Sequence, residues 1–280
     1  MNNGNTPEFS CEFFPPKTDE GQEKLAQVRE ELMEMAPRYF SVTFGAGGST
    51  QKGTVDTVLS IRAAGVDAAP HLSCIGSEKA AIRELLADYQ ANGIDHIVAL
   101  RGDIPSGMRE TGDFSYANEL VAFIRRETGD HFHIEVAAYP EFHPQAPSAT
   151  ADLNNFQRKV EAGADSAITQ YFYNADAYFR FLDDCERLGI DIPIVPGIMP
   201  ITNYTQLARF SDACGAEIPR WMRKRLEAFG EDKASLRAFG EEVVTDLCQT
   251  LLDGGAPGLH FYTMNQSGPT LAIWRNLGGN

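Results

Sequence analysis

The sequence predicts a (β/α)8 TIM barrel with extra helices between strands 7 and 8, and three observations carry that reading. A short phrase recurs, Gly65-Val66-Asp67, Gly93-Ile94-Asp95, Gly163-Ala164-Asp165 and Gly189-Ile190-Asp191, each after a helix-patterned run and before a strand-like one. Glycine is favoured just past a helix end because it takes the left-handed conformation without steric penalty. The copies lie 28, 70 and 26 residues apart, so the long gap holds two units of about 35, the size of a βα pair. The second observation is a count of eight β-rich runs. The third is size: 280 residues, 43% of them hydrophobic, suit one barrel, which commonly takes about 250 residues. Residues 1–280 therefore read as a single domain.

The predicted strands fall at 9 to 13, 39 to 43, 68 to 74, 95 to 100, 133 to 139, 166 to 171, 193 to 198 and 258 to 262. Continuous apolar runs such as Ile97-Val98-Ala99-Leu100 suit a parallel sheet covered on both faces. After the first strand, Leu25, Val28, Leu32 and Met35 repeat at helical spacing. After the third, Ile82, Leu85, Leu86 and Tyr89 do the same, with Ser77 as the expected N-cap. About 60 residues separate the last two strands and hold helical patterns near 204 to 213, 219 to 229 and 233 to 253. These read as extra helices, the middle one opening on Pro219, since proline is tolerated in a first helical turn.

A net charge of -15 and a pI near 4.8 argue against a nucleic-acid partner, which needs clustered positive charge. No apolar run approaches the roughly 18 residues of a membrane span, so a cytoplasmic protein is expected. Five cysteines without CxxC spacing read as reduced, mostly buried thiols. His71, His143 and His260 show no HxH or HxxxH spacing, so no metal is expected.

In such barrels the active site lies at the C-terminal ends of the strands. The polar residues there are Glu12, Thr43, His71, Arg101 with Asp103, Tyr139 with Glu141 and His143, Gln170, and His260 with Tyr262. Glu12, set among aromatics before Pro15-Pro16, is expected to be desolvated; desolvation raises a carboxylic acid's pKa and keeps it protonated as a general acid. A surface glutamate at a strand end is the plainer alternative. Arg101 and Asp103 face two readings, a ligand contact or a structural ion pair. Asp152, Asn155, Arg158 and Lys159 fall on a predicted helix, where an acid, an amide and two cations suit ribose and pyrophosphate, or simply a solvated face. Gly45 to Thr50 is glycine-rich but lacks the full GxGxxG pattern and the P-loop lysine, so it reads as a βα turn. The strand ends offer no lysine for the Schiff base of an aldolase barrel.

Seven ordered blocks together resemble the methylenetetrahydrofolate reductase family: FSCEFFPPK at 9 to 17, SVTFGAGGST at 41 to 50, APHLSC at 69 to 74, HIVALRGD at 96 to 103, AAYPEFHP at 137 to 144, AITQYF at 167 to 172 and HFYTMN at 260 to 265. The length is similar to the compact bacterial form. The resemblance implies an FAD-dependent homo-oligomer that reduces 5,10-methylenetetrahydrofolate to 5-methyltetrahydrofolate with NAD(P)H by ping-pong kinetics, supplying methyl groups for methionine synthesis. It implies Glu12 as the acid that protonates N10 of the folate and Asp103 as the carboxylate beside flavin and pterin. Gln170 is similar to a pterin-binding amide, and Gln206, Phe210 and Tyr262 resemble positions for the folate tail or nicotinamide. The implied FAD contacts are Thr43, His71, Leu100, Arg101, Gly102, Asp103, Tyr116, Ala117, Tyr139, His143 and Ile168, with Asp152, Asn155, Arg158 and Lys159 toward phosphates and ribose. Phe44 stands where tyrosine is common in the family, and Gln266 where arginine is common.

Overall fold

A computed structural model describes residues 7–44, 51–102 and 112–279. Its strands are β1 (Glu8–Phe13), β2 (Phe40–Val42), β3 (Ala68–Ser73), β4 (His96–Leu100), β5 (His133–Ala138), β6 (Ser166–Thr169), β7 (Ile194–Val195), β8 (Gly197–Ile198) and β9 (Gly258–Tyr262). The helices are α1 (Asp19–Leu32), α2 (Gln51–Ala63), α3 (Lys79–Ala91), α4 (Ala117–Thr128), α5 (Ala149–Glu161), α6 (Ala175–Arg187), α7 (Tyr204–Cys214), α8 (Arg220–Phe229), α9 (Lys233–Asp253) and α10 (Gly268–Asn276). Every strand pair is parallel, in the order β7-β6-β5-β4-β3-β2-β1-β9-β8.

The two ends of that order are one stretch of chain, which is how the sheet becomes a barrel. The single seventh strand expected at 193 to 198 is divided at Pro196, which has no N–H to give a ladder. Its first half pairs with β6 and its second with β9. The Pro196 carbonyl still accepts from the His260 N–H at 3.0 Å.

All four glycines of the repeated phrase have positive φ, from 70° at Gly93 to 112° at Gly163. Each ends its helix in the same two-bond turn. At α3, Gly93 N donates to Gln90 O at 3.1 Å and Ile94 N to Tyr89 O at 3.0 Å, the pair of bonds that satisfies a helix's last carbonyls. The residue after each glycine is buried, and the next enters or precedes a strand. A fifth copy, Gly255-Ala256-Pro257, closes α9 with the same bonds but lacks the aspartate.

The helical stripes pack as expected: Leu25, Val28 and Leu32 of α1 and Ile82, Leu85, Leu86 and Tyr89 of α3 are all buried. Ser77 is not the cap of α3. Glu78 occupies that position, and the Lys79 N–H receives its hydrogen-bond acceptor from Asp113 Oδ2 at 2.8 Å, 34 residues on. Pro219 lies one residue ahead of α8, as its N-cap. Of the three helices expected as extras, α9 packs against α6 and α10 and is the seventh crossover helix itself. Only α7 and α8 are additions.

Alternation along each strand sends one set of side chains to the helices and the other into the barrel. Cys11, Phe13, Phe40, Val42, Leu72 and Ile97 join the large outer core. The inner set is unusually polar. Ser10 and Glu12, Tyr39 and Ser41, His133 and Glu135, and His260 and Tyr262 each stand two residues apart, with only a small apolar cluster of Tyr39, Ala69, Val98 and Ile168 among them.

Candidate active site

Glu12 is the last residue of β1's inner row and meets two imidazoles. Its Oε2 is 3.3 Å from His71 Nε2 of β3 and 3.9 Å from His260 Nε2 of β9. His71 and His260 are buried, while the Glu12 side chain keeps 19% of its surface open toward the mouth. Behind them, His260 Nδ1 bonds Ser10 Oγ at 2.7 Å, and Ser41 Oγ lies 3.4 Å from His260 Nε2.

This changes the expected protonation of Glu12. Burial does push its pKa upward, but hydrogen bonds and charge from His260 and His71 outweigh that and hold it down to about 2. Glu12 is a carboxylate at rest, not a standing acid. A carboxylate in contact with two imidazoles can still act as an acid, because the proton belongs to the group of three.

The remaining residues divide between two sides of the mouth. Thr43 follows β2, His71 and Leu100 lie on β3 and β4, Tyr139 follows β5, and Ile168 is buried on β6. Arg101 Nη2 donates to Gln145 Oε1 at 2.6 Å, tying the end of β4 to the segment after β5. Gly102 has φ +86°, and a Cβ there would come within 3.0 Å of Ser73 and Ile75. Tyr116 and Ala117 begin α4, the tyrosine 59% exposed. The His143 ring stands edge-on to Tyr139 at 4.7 Å, and the His143 backbone N–H donates to Asp152 Oδ2 at 2.9 Å. Asp103 and the glycine-rich turn at 45 to 50 lie outside the described residues.

The charged face expected on α5 is only partly solvated. Asn155 and Arg158 are exposed and bonded to each other at 3.0 Å. Lys159 turns inward, donating to the Ala137 carbonyl of β5, and burial lowers its pKa to about 8. An ammonium ion has three donors; this half-buried one has a backbone carbonyl as its hydrogen-bond partner and feels the charge of Asp152, and a cation so placed suits a phosphate.

On the other side, Gln170 follows β6 with its Oε1 accepting from Tyr171 N at 3.0 Å. Gln206 and Phe210 share one face of α7, half-buried. That helix is anchored beside Gln170, since Tyr171 Oη and Ser211 Oγ are 3.1 Å apart. Tyr262 donates its hydroxyl to the Thr169 carbonyl of β6 at 2.7 Å, passing over Gly197. A Cβ at Gly197 would sit 2.2 Å from that same carbonyl and 2.6 Å from the Tyr262 ring. Only the ring of Tyr262 is left for a ligand. Glu141, at the same rim, accepts from Glu217 N at 2.8 Å and holds a loop in place.

Sequence reasoning found Glu12, His71 and His260 as strand-end residues but missed Ser10, Ser41, Tyr39, His96, Glu135 and Ser166 beneath them. The available signal was a spacing of two in some of the strands, Ser10 before Glu12, Ser41 before Thr43 and His133 before Glu135, polar pairs inside otherwise apolar runs.

The family model for methylenetetrahydrofolate reductase matches residues 1–278. The 5,10-methylenetetrahydrofolate reductase of Escherichia coli (strain K12) is 41% identical over 270 residues, which covers 96% of this chain and 90% of that protein. The methylenetetrahydrofolate reductase (NADH) 1 of Arabidopsis thaliana is 38% identical over 284 residues, 96% of this chain and 48% of the plant protein. Among solved structures, a Clostridium thermocellum protein that binds two copies of 5-methyl-5,6,7,8-tetrahydrofolic acid superposes with a TM-score of 0.69 at 17% identity, covering 99% of this chain and 94% of that one. That likeness is one of fold.

Proposed function

The chain belongs to the methylenetetrahydrofolate reductase family, and on that premise we propose that it reduces 5,10-methylenetetrahydrofolate to 5-methyltetrahydrofolate with NAD(P)H, through FAD and in ping-pong order. Residues 1–280 act as one catalytic domain of a cytoplasmic homo-oligomer whose product supplies methyl groups for methionine synthesis. The observation that carries the reading is the Glu12–His71–His260 group at the barrel mouth.

FAD, when bound, would supply hydride transfer, taking hydride from the nicotinamide and giving it to the folate. Thr43, His71, Leu100, Arg101, Gly102, Tyr116, Ala117, Tyr139, His143 and Ile168 would hold it, and Asp152, Asn155, Arg158 and Lys159 would take its ribose and phosphates. Glu12 delivers a proton to N10 of the folate, which opens the five-membered ring to an iminium at N5. The charge of Asp103 steadies that cation and the polar edge of the pterin. Gln170 fixes the pterin, while Gln206, Phe210 and the Tyr262 ring receive the tail or, in the other half-reaction, the nicotinamide.

The test is anaerobic. Purified protein reconstituted with FAD is expected to bleach on NADH addition and regain its yellow spectrum on adding methylenetetrahydrofolate. A protein that takes up no FAD, or one that stays bleached, counts against the proposal.

A further inference from the structure

We propose that Tyr39, Glu135, His96 and His133, with Ser10 and Ser166, form a proton path along the barrel axis that feeds Glu12 from the N-terminal rim. The proposal rests on the reductase reading, because that reading makes Glu12 the donor. A folate seated in the mouth would cover the Glu12, His71 and His260 group from the solvent side, and the proton that replenishes it would then come from within.

The links are on hand. His260 Nδ1 is 2.7 Å from Ser10 Oγ, and Ser10 stands near enough to Tyr39 to act on its hydroxyl. Tyr39 Oη donates to Glu135 Oε2 at 2.5 Å. Glu135 Oε2 lies 3.2 Å from His96 Nε2, and its Oε1 accepts from Ser166 Oγ at 3.1 Å. Ser166 Oγ is 2.7 Å from His133 Nε2. His96 and His133 are the first residues of β4 and β5, and both are partly open, whereas Ser10, Tyr39, Glu135, Ser166 and His260 are buried. The chain thus runs from one face of the barrel to the other.

A structural role explains this row poorly. Barrel interiors are ordinarily filled by branched apolar side chains, and a buried carboxylate costs several kcal/mol to desolvate before its partners offset it. The transfer balances as a relay. A proton from water enters at the imidazole of His96 or His133 and passes to Glu135. Once Glu135 is protonated, the Tyr39 O–H turns from Glu135 toward Ser10; Glu135 then hands its proton to Tyr39 Oη as Tyr39 gives its own to Ser10 Oγ. Ser10 gives its proton to His260 Nδ1, and the proton on His260 Nε2 goes to Glu12. One proton is gained at Glu12 and none is lost between. The charges facing this row are few: Arg38, paired with Glu8, and Asp165, paired with Arg125, at the rim, and His71 and Tyr262 at the top.

Tyr39→Phe keeps the ring and removes one link. Stopped-flow measurement of each half-reaction is expected to show NADH reducing the flavin within twofold of wild type, and reoxidation by methylenetetrahydrofolate slowed at least tenfold. Ser10→Ala breaks the next link and is expected to slow reoxidation equally. Because the links are in series, the double variant is expected to be no slower than either single one, whereas structural damage would accumulate. Reoxidation within twofold of wild type in Tyr39→Phe, or additive losses in the double variant, overturns the path. A second measurement needs neither cofactor nor substrate. In apoprotein labelled with 15N-histidine, Glu135→Gln is expected to lower the His133 titration midpoint further, since the facing negative charge that raises it is gone; an unmoved midpoint overturns the coupling. Wild-type protein that NADH cannot reduce would instead sink the reductase reading, leaving the histidine titration to judge the path by itself.

Discussion

Glu12 at the mouth and Glu135 in the lumen are two carboxylates in nearly the same predicament, with opposite access. Each is buried and held down to about 2 by histidines that outweigh desolvation. Glu12 keeps 19% of its side-chain surface open and Glu135 keeps 3%. The electrostatic arrangement is repeated at two depths; only the upper copy can touch a ligand. Acid–base chemistry at the mouth is thus set by which carboxylate is reachable, not by which one has the more perturbed pKa.

The comparison breaks most sharply at Glu12→Gln. This near-isosteric change is expected to slow folate-dependent reoxidation by about 10² to 10⁴ while NADH reduction stays close to wild type, as read by stopped flow. Loss of both half-reactions together would remove Glu12 from the role of acid. Glu135→Leu is expected to fail in the other currency. It leaves His96 and Tyr39 without their buried acceptor and should cost about 3 to 5 kcal/mol in denaturant unfolding; an unchanged midpoint would mean the lower group carries no stability.

Acid titration sharpens the same contrast. Both carboxylates have folded-state pKa values depressed from 4.5 to about 2, so the stability they confer is complete above about pH 4.5 and is lost as pH falls toward 2. Each contributes on the order of 3 kcal/mol over that window. Thermal melts from pH 6 to 2 are expected to fall steeply in wild type and less steeply in Glu12→Gln, which has one depressed carboxylate fewer to protonate. The smallest effect belongs to Tyr262→Phe, which gives up the bond to the Thr169 carbonyl and should cost about 1 kcal/mol with the ring still in place over Gly197. A large loss of folate binding in that variant would show that the hydroxyl, not the ring, meets the substrate.

Local chemistry reached a long way in this chain. Gly65, Gly93, Gly163 and Gly189 announced helix ends because the left-handed turn is a property of a few consecutive residues, and all four adopt it. Leu25, Val28 and Leu32, and the stripe from Ile82 to Tyr89, announced buried faces because helical period needs no tertiary knowledge. The capping of α3 was out of reach, since the acceptor for Lys79 comes from Asp113 on a separate segment. So was the split at Pro196, where the missing N–H was legible but the two partners of the halves were not.

The order of strands, the polar residue at each strand end and the family were therefore determined by sequence alone, because each rests on neighbours in the chain or on blocks of them. What only the tertiary structure decided is the state of Glu12. Its aromatic neighbours in sequence point to a protonated acid; the histidines that ionise it come from residues 71 and 260. Coulomb interactions depend on distance in space, and closure of the barrel brings β3 and β9 to either side of β1.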